Sequence, residues 1–121
     1  MNQLAREAAE IRFWRHGAVP VVEVVGDLDL GDLRAFESAL QQAFRAPSQD
    51  VIVSLAETNY FNSGAVRVVM RMADHLAQDN RRLLLVAPQD RTPRRVLDII
   101  YMTSDLLPFE SVEEALVALA G

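Results

Sequence analysis

The run Val51-Ile52-Val53-Ser54-Leu55-Ala56-Glu57-Thr58-Asn59-Tyr60-Phe61-Asn62-Ser63-Gly64-Ala65-Val66 decides the fold. Val51 to Leu55 is short, nearly continuous and apolar, the composition of a strand covered on both faces. Residues 56–61 lose that pattern and read as a connection. Asn62 and Ser63 are both good helix-capping residues. Beyond them Val66, Val69, Ala73 and Leu76 make one apolar stripe to about Asp79, with Arg67, Arg71, Asp74 and Gln78 off it. A buried strand feeding an amphipathic helix is the repeating unit of a layered α/β fold.

The same alternation extends outward in both directions. Upstream, Ile11 to Arg15 alternates loosely, His16-Gly17 turns, and Val19 to Val25 is β-branched up to Gly26, which together read as a hairpin. Leu33, Phe36, Leu40 and Phe44 then recur at helical spacing, predicting a helix from Asp32 to Ala46 that Pro47 and Ser48 end. Downstream, Leu83 to Ala87 is a second buried-strand candidate, and Thr92-Pro93 marks the start of a helix. Leu107 to Phe109 is a candidate short strand. Ser111 and Glu114 are spaced as a capping box for a last helix through Val112, Ala115, Leu116 and Leu119. The expected architecture is α/β, a mixed sheet of four to five strands with four amphipathic helices packed against it. Residues 10–121 read as one domain, and residues 1–9 as a lead-in, either a frayed helix or disordered.

Composition removes several functions. The chain has 121 residues, a formal charge of −5 and no cysteine, so thiol catalysis and cysteine metal sites are absent. All 12 of its basic residues are arginine. Without lysine there is neither a phosphate-loop motif of the usual kind nor a Schiff-base nucleophile. An acidic chain without a basic cluster is a poor match for a phosphate backbone, so no nucleic-acid partner is expected. No apolar stretch reaches the length of a membrane helix, and Arg6, Glu7 and Glu10 are wrong for a secretory signal. Direct membrane insertion is not expected, and a cytoplasmic location is.

Two segments, Val24-Val25-Gly26-Asp27-Leu28-Asp29 and Tyr60-Phe61-Asn62-Ser63-Gly64-Ala65-Val66, together resemble the STAS family, the sulfate transporter and anti-sigma factor antagonist domains. Members run from a strand through Gly-x-Leu-Asp into a helix. Later a buried strand ends in an aromatic-apolar-Asp-Ser-x-Gly-Leu segment that starts the next helix. Asn62 stands where the family usually has Asp, and Gly64 where it often has Ser, Thr or Ala. The resemblance implies a STAS-type mixed sheet and a non-enzymatic regulatory domain. It implies docking of an anti-sigma factor that is also a serine kinase, with phosphorylation at Ser63 ending the contact. A STAS subunit that is never phosphorylated, in a lipid-transport ATPase or a stress-signalling assembly, is the alternative. The implied partner-binding residues are Asp27, Asp29, Asn62, Ser63, Gly64 and Arg67.

Other chemistries fit these residues less well. Asp27, Asp29 and Asp32 crowd a short stretch, but acidic residues ahead of a helix ordinarily face its positive end, so no metal site is expected. A response-regulator pocket would use a lysine. A serine hydrolase would need a base near Ser63, yet His75 lies twelve residues along the same helix, about 18 Å at 1.5 Å per residue. His16 falls in the hairpin turn, and both histidines read as surface residues. No catalytic residue or cofactor is expected. Arg94-Arg95 in the first turn of a helix reads as solvated charge or a contact for an acidic partner. Phe13, Trp14 and Tyr101 read as core or edge-strand packing.

Overall fold

Gly17, with φ of 62°, turns the chain sharply enough to fold β1 (Glu10–His16) back on β2 (Val19–Leu28) as an antiparallel hairpin. The computed structural model describes residues 9–45, 50–100 and 108–120. After the hairpin come α1 (Leu33–Arg45), β3 (Asp50–Phe61), α2 (Ser63–Gln78), β4 (Arg82–Val86), α3 (Thr92–Ile100) and α4 (Val112–Ala120). The strands lie in the order β1-β2-β3-β4, with β2, β3 and β4 mutually parallel. This is the mixed α/β sheet with four helices expected from sequence.

Residues 56–61 are not a connection. They continue β3, which is 12 residues long and pairs in parallel with β2 as far as Leu28 against Phe61. The register explains why alternation hides this. Between Glu23 and Val25, and again between Gly26 and Asp27, β3 advances one residue more than its partner. Each extra residue is a bulge that resets which face the next side chain meets. Thr58, fully buried between the two bulges, donates its hydroxyl hydrogen bond to the Val24 carbonyl at 2.8 Å. Gly26, opposite Thr58, has φ of 99°, a conformation that a side chain would strain.

The two faces of the sheet are covered unequally. On one, Val22, Val24, Leu28, Val51, Val53 and Leu55 pack under α1, α2 and α3. From α1, Phe36, Leu40 and Ala43 are fully buried, and Leu33 and Phe44 pack beside them. From α2 the buried set is Ala65, Val66, Val68, Val69, Met72 and Leu76, broader than the predicted stripe because α2 lies between its neighbouring helices. On the other face α4 is the one helix among the described residues. Its Val112, Ala115, Leu116 and Leu119, the predicted stripe, meet Val21, Ile52, Leu84 and Val86.

Several smaller expectations change. The candidate strand at 107–109 is a single parallel bridge from Phe109 to Val86; Leu107 lies outside the described residues, as do Tyr101, residues 1–8 of the lead-in and Ala46 to Ser48. Ser111 Oγ accepts from Glu114 N–H at 3.0 Å, as a cap should, but the Glu114 carboxylate accepts from Glu110 N–H instead of closing the box. His16 is the last residue of β1, and both histidines are exposed. Phe13 and Trp14 sit on the edge strand, 46% and 38% exposed. Arg94 is neither solvated nor offered to a partner. It ion-pairs with Asp98 and Glu110 and donates to the Ala87 carbonyl at 3.0 Å, tying α3 to the segment ahead of α4. Arg95 is exposed.

Beside the start of α4, Glu23 sits half-buried on the face that this helix covers. Burial pushes its carboxyl above the ordinary carboxylate range; the Glu57 charge adds to this, while the Ser54 hydroxyl and Arg12 oppose it. An acid with a raised folded-state pKa penalises folding once the pH is high enough to ionise it, and the penalty fades as both states become protonated. Glu23→Gln is therefore expected to melt higher than the parent at pH 7. The gap should close as the pH falls through the ordinary carboxylate range, read by thermal denaturation across pH 4–7.5. A constant gap would assign the effect to packing.

Candidate functional site

Because β2 and β3 are parallel neighbours, they end at the same edge of the sheet. Leu28 pairs with Phe61, both buried, so Asp29 and Asn62 leave the sheet side by side. The two corners adopt nearly the same backbone conformation, Asp29 at φ −107°, ψ 175° and Asn62 at φ −105°, ψ 173°. Asp29 opens a single 3-10 turn, Leu30 to Asp32, that leads into α1; the Asp32 carboxylate accepts from Asp29 N–H at 3.0 Å. Asn62 opens α2 directly. Its side-chain oxygen accepts from Ala65 N–H at 2.9 Å, satisfying a donor that the helix itself leaves unpaired.

Ser63 is then not the cap. It is the first residue of α2, exposed, and its hydroxyl makes no hydrogen bond to another described residue. Asn62 having taken the structural task, Ser63 Oγ stands free at the positive end of the helix. Arg67, also exposed, follows one turn later on the same face. Gly64 faces inward between the corners. A β-carbon there would lie 3.0 Å from Leu33 Cδ1 and 3.1 Å from Asn62 Oδ1, so the start of α2 rests directly on the start of α1.

The structure thus brings Asp29, Asn62, Ser63 and Gly64 together, with Asp27 beside Tyr60 in the strands behind them. Asp27 and Asp29 are half-buried, and Asp29 and Asp32 are engaged within the chain. Two residues not picked out from sequence as contacts join the surface: Leu30, 72% exposed, and Tyr60, 51% exposed. The signal was available for Leu30, an apolar side chain held between capping acids where no core can reach it. Beyond Tyr60, Arg91 donates to Asn59 Oδ1 at 3.0 Å, closing that flank. Among the described residues no three His, Asp or Glu side chains converge as metal ligands, and no helix is long and apolar enough to cross a membrane. Ser63 and His75 stand three turns apart along α2.

Residues 11–107 match the family model described as Mlab, STAS domain. The chain belongs to the STAS family. Solved structures share its fold at low identity. An anti-sigma factor antagonist from Mycobacterium paratuberculosis superposes with a TM-score of 0.86 at 19% identity, over 97% of this chain and 98% of that one. The unphosphorylated form of the anti-sigma factor antagonist SpoIIAA gives 0.70 at 18% identity, over 94% and 99%. The phosphorylated form of the Bacillus cell fate determinant SpoIIAA gives 0.68 at 18%, over 93% and 99%. No curated protein matches the chain.

Within this STAS domain the cap and the free hydroxyl have separate consequences. Asn62→Ala is expected to cost about 1 kcal/mol of stability, the worth of a helix cap. Ser63→Ala should cost less than about 0.5 kcal/mol, as for a surface position without structural duty. Urea denaturation of both variants measures the difference. Equal losses would return Ser63 to a structural role.

Proposed function

We propose that this STAS domain is an anti-sigma factor antagonist-like binding module, without catalytic activity of its own, that docks a regulatory protein over the Ser63 corner. The partner best matched is an anti-sigma factor that is also a serine kinase. The observation that carries the reading is a serine exposed in the first turn of α2 with its hydroxyl uncommitted, while its neighbour Asn62 does the capping. Exposed Leu30 and Tyr60 beside it supply apolar area that a partner would bury. Asp27, Asp29, Asn62, Gly64 and Arg67 complete the docking surface.

Phosphorylation would add about −1.5 to −2 charges and considerable bulk at the centre of that surface. The helix N-terminus tolerates the anion, so the domain stays folded while the partner is expelled. No bistable element is needed.

A second reading keeps the docking surface and drops the switch: a STAS subunit bound permanently in a lipid-transport ATPase or a stress-signalling assembly. Asn62 favours it, since the amide keeps the cap and brings no carboxylate for a kinase to meet.

Ser63→Asp places a carboxylate in the first turn of α2, where the helix dipole is neutral to mildly favourable to it. Stability should stay within about 0.5 kcal/mol of the parent, while affinity for the partner falls on the order of 100-fold, the loss expected of an uncompensated charge at an interface centre. Calorimetry against a purified anti-sigma factor kinase, with intact-mass detection of phosphate transfer, measures both. Unchanged binding would refute the docking surface. Lost binding without any phosphoserine would select the permanent subunit.

A further inference from the structure

The surface of β1 is unlike that of a protected edge strand. It is the end of the sheet, with β2 on one side, and among the described residues no strand lies on the other. Monomeric proteins usually blunt such an edge with proline, a bulge, a very short strand or charged side chains, and of these β1 carries only the charges, Glu10, Arg12 and Arg15. Here the strand runs seven residues, Glu-Ile-Arg-Phe-Trp-Arg-His, with no proline and an unbroken register against β2; the bulges all lie between β2 and β3. The opposite edge differs. β4 has five residues, and Phe109 already bonds to its end through Leu85 and Ala87. Of the five exposed large apolar side chains among the described residues, Leu30 and Tyr60 belong to the docking corner and Val117 to α4, while Phe13 and Trp14 are adjacent on this edge.

We propose that β1 pairs antiparallel with β1 of a second copy of this chain about a two-fold axis at Phe13, joining two sheets into one. The sequence of the strand selects this register. A two-fold axis perpendicular to the sheet keeps each face aligned, so the pleat allows only registers centred on a residue. Centring on Arg12 opposes two guanidinium groups. Centring on Trp14 sets Arg12 against His16 and leaves Glu10 and Ile11 overhanging. Centring on Phe13 pairs all seven residues and opposes no like charges.

In that register Glu10 faces His16 of the partner subunit, and Arg12 faces Trp14 of the partner subunit, on the side of α4. Trp14 and His16 already border α4 there, beside Glu23, Val112 and Leu116. The pairings are complementary, a carboxylate with an imidazole and a guanidinium with an indole face. Within one chain Arg12 rests on Glu10 at 3.2 Å, so its charge is already held along the edge. On the other side Phe13 meets its own copy, flanked by Ile11 against Arg15. The Ser63 corners belong to β3 and α2, away from this edge, so the pairing is independent of the docking surface.

A single strand pair buries less than the roughly 1,000 Å² of a standing interface, so the dimer should be weak, with Kd on the order of 10–100 μM. Sedimentation velocity of the unmodified chain tests it directly. The weight-average mass should rise toward twice the monomer over that range, and Phe13→Asp should abolish the rise. The absence of cysteine makes disulfide capture clean. Under mild oxidation Phe13→Cys should cross-link on the order of tenfold faster than Gln78→Cys, at an exposed position of α2, since facing positions across a strand pair lie within disulfide reach. A chain that remains monomeric at millimolar concentration overturns the proposal, whether its own N-terminal residues or a different protein's strand takes the edge. Cross-linking strongest at Arg12→Cys, or equal at Phe13 and Gln78, overturns it as well.

Discussion

Parallel neighbours in a sheet leave it at the same end, and the pairing of β2 with β3 turns that geometric fact into a surface. Leu28 and Phe61, side by side and buried, fix the points at which both chains depart. Everything distinctive at the corner follows: two capping residues in the same conformation, two helices starting together, and one serine in front. Such strands must be apolar on both faces, which is why Val51 to Leu55 carries so little polarity. The exception is Ser54, buried on the α4 face where its hydroxyl reaches Glu23 at 3.4 Å.

The corners are held against each other as well as side by side. Gly64 lets α2 approach Leu33 until only a hydrogen's worth of space remains. A larger residue there would have to displace Leu33 or the Asn62 side chain that caps the helix. The hydroxyl that relatives often carry at this position would press on that contact, so its absence here accompanies a tight seat. Under the proposed function a close-packed seat would suit a surface read by shape, because less of it must be ordered on binding. The same close packing would let a charge added at Ser63 act through local repulsion, with the fold unmoved.

Period and capping made most of this fold legible. The hairpin, the helices and the stripe of α4 are where spacing placed them, since in each the direction of the apolar contacts stays constant along the element, even in α2, whose neighbours widen the buried stripe. The miss was residues 56–61. There the two bulges shift β3 against β2, so Thr58 and Phe61 are buried while Glu57, Asn59 and Tyr60 are exposed, a rhythm that matches neither period. Arg94 was misread for a different reason: besides Asp98 in its own helix, its partners are Glu110 and the Ala87 carbonyl, which lie outside that helix where no local pattern announces them. The site was legible only in part. Asn62 and Ser63 were both recognisable as caps, but which of them bonds Ala65 depends on where the strand ends, and that was the boundary the bulges concealed.

The neutrality of Asn62 bears on whether a phosphate would suit this corner. Families that cap here with Asp already place one negative charge at the helix N-terminus, and a phosphate on the next residue would add to it. In this chain the first turn of α2 contains no acidic residue, so the positive end of its dipole is uncompensated and Arg67 stands one turn beyond. An anion on Ser63 would therefore meet attraction from its own helix on arrival. Asp29, across the corner, is engaged within its own turn. The amide thus removes the carboxylate that a kinase would have approached and, by the same exchange, makes the phosphorylated product easier to hold. Under the proposed function these effects act on different quantities, the rate of modification and the stability of the modified state, and a slow switch with a durable off state is what their combination would produce.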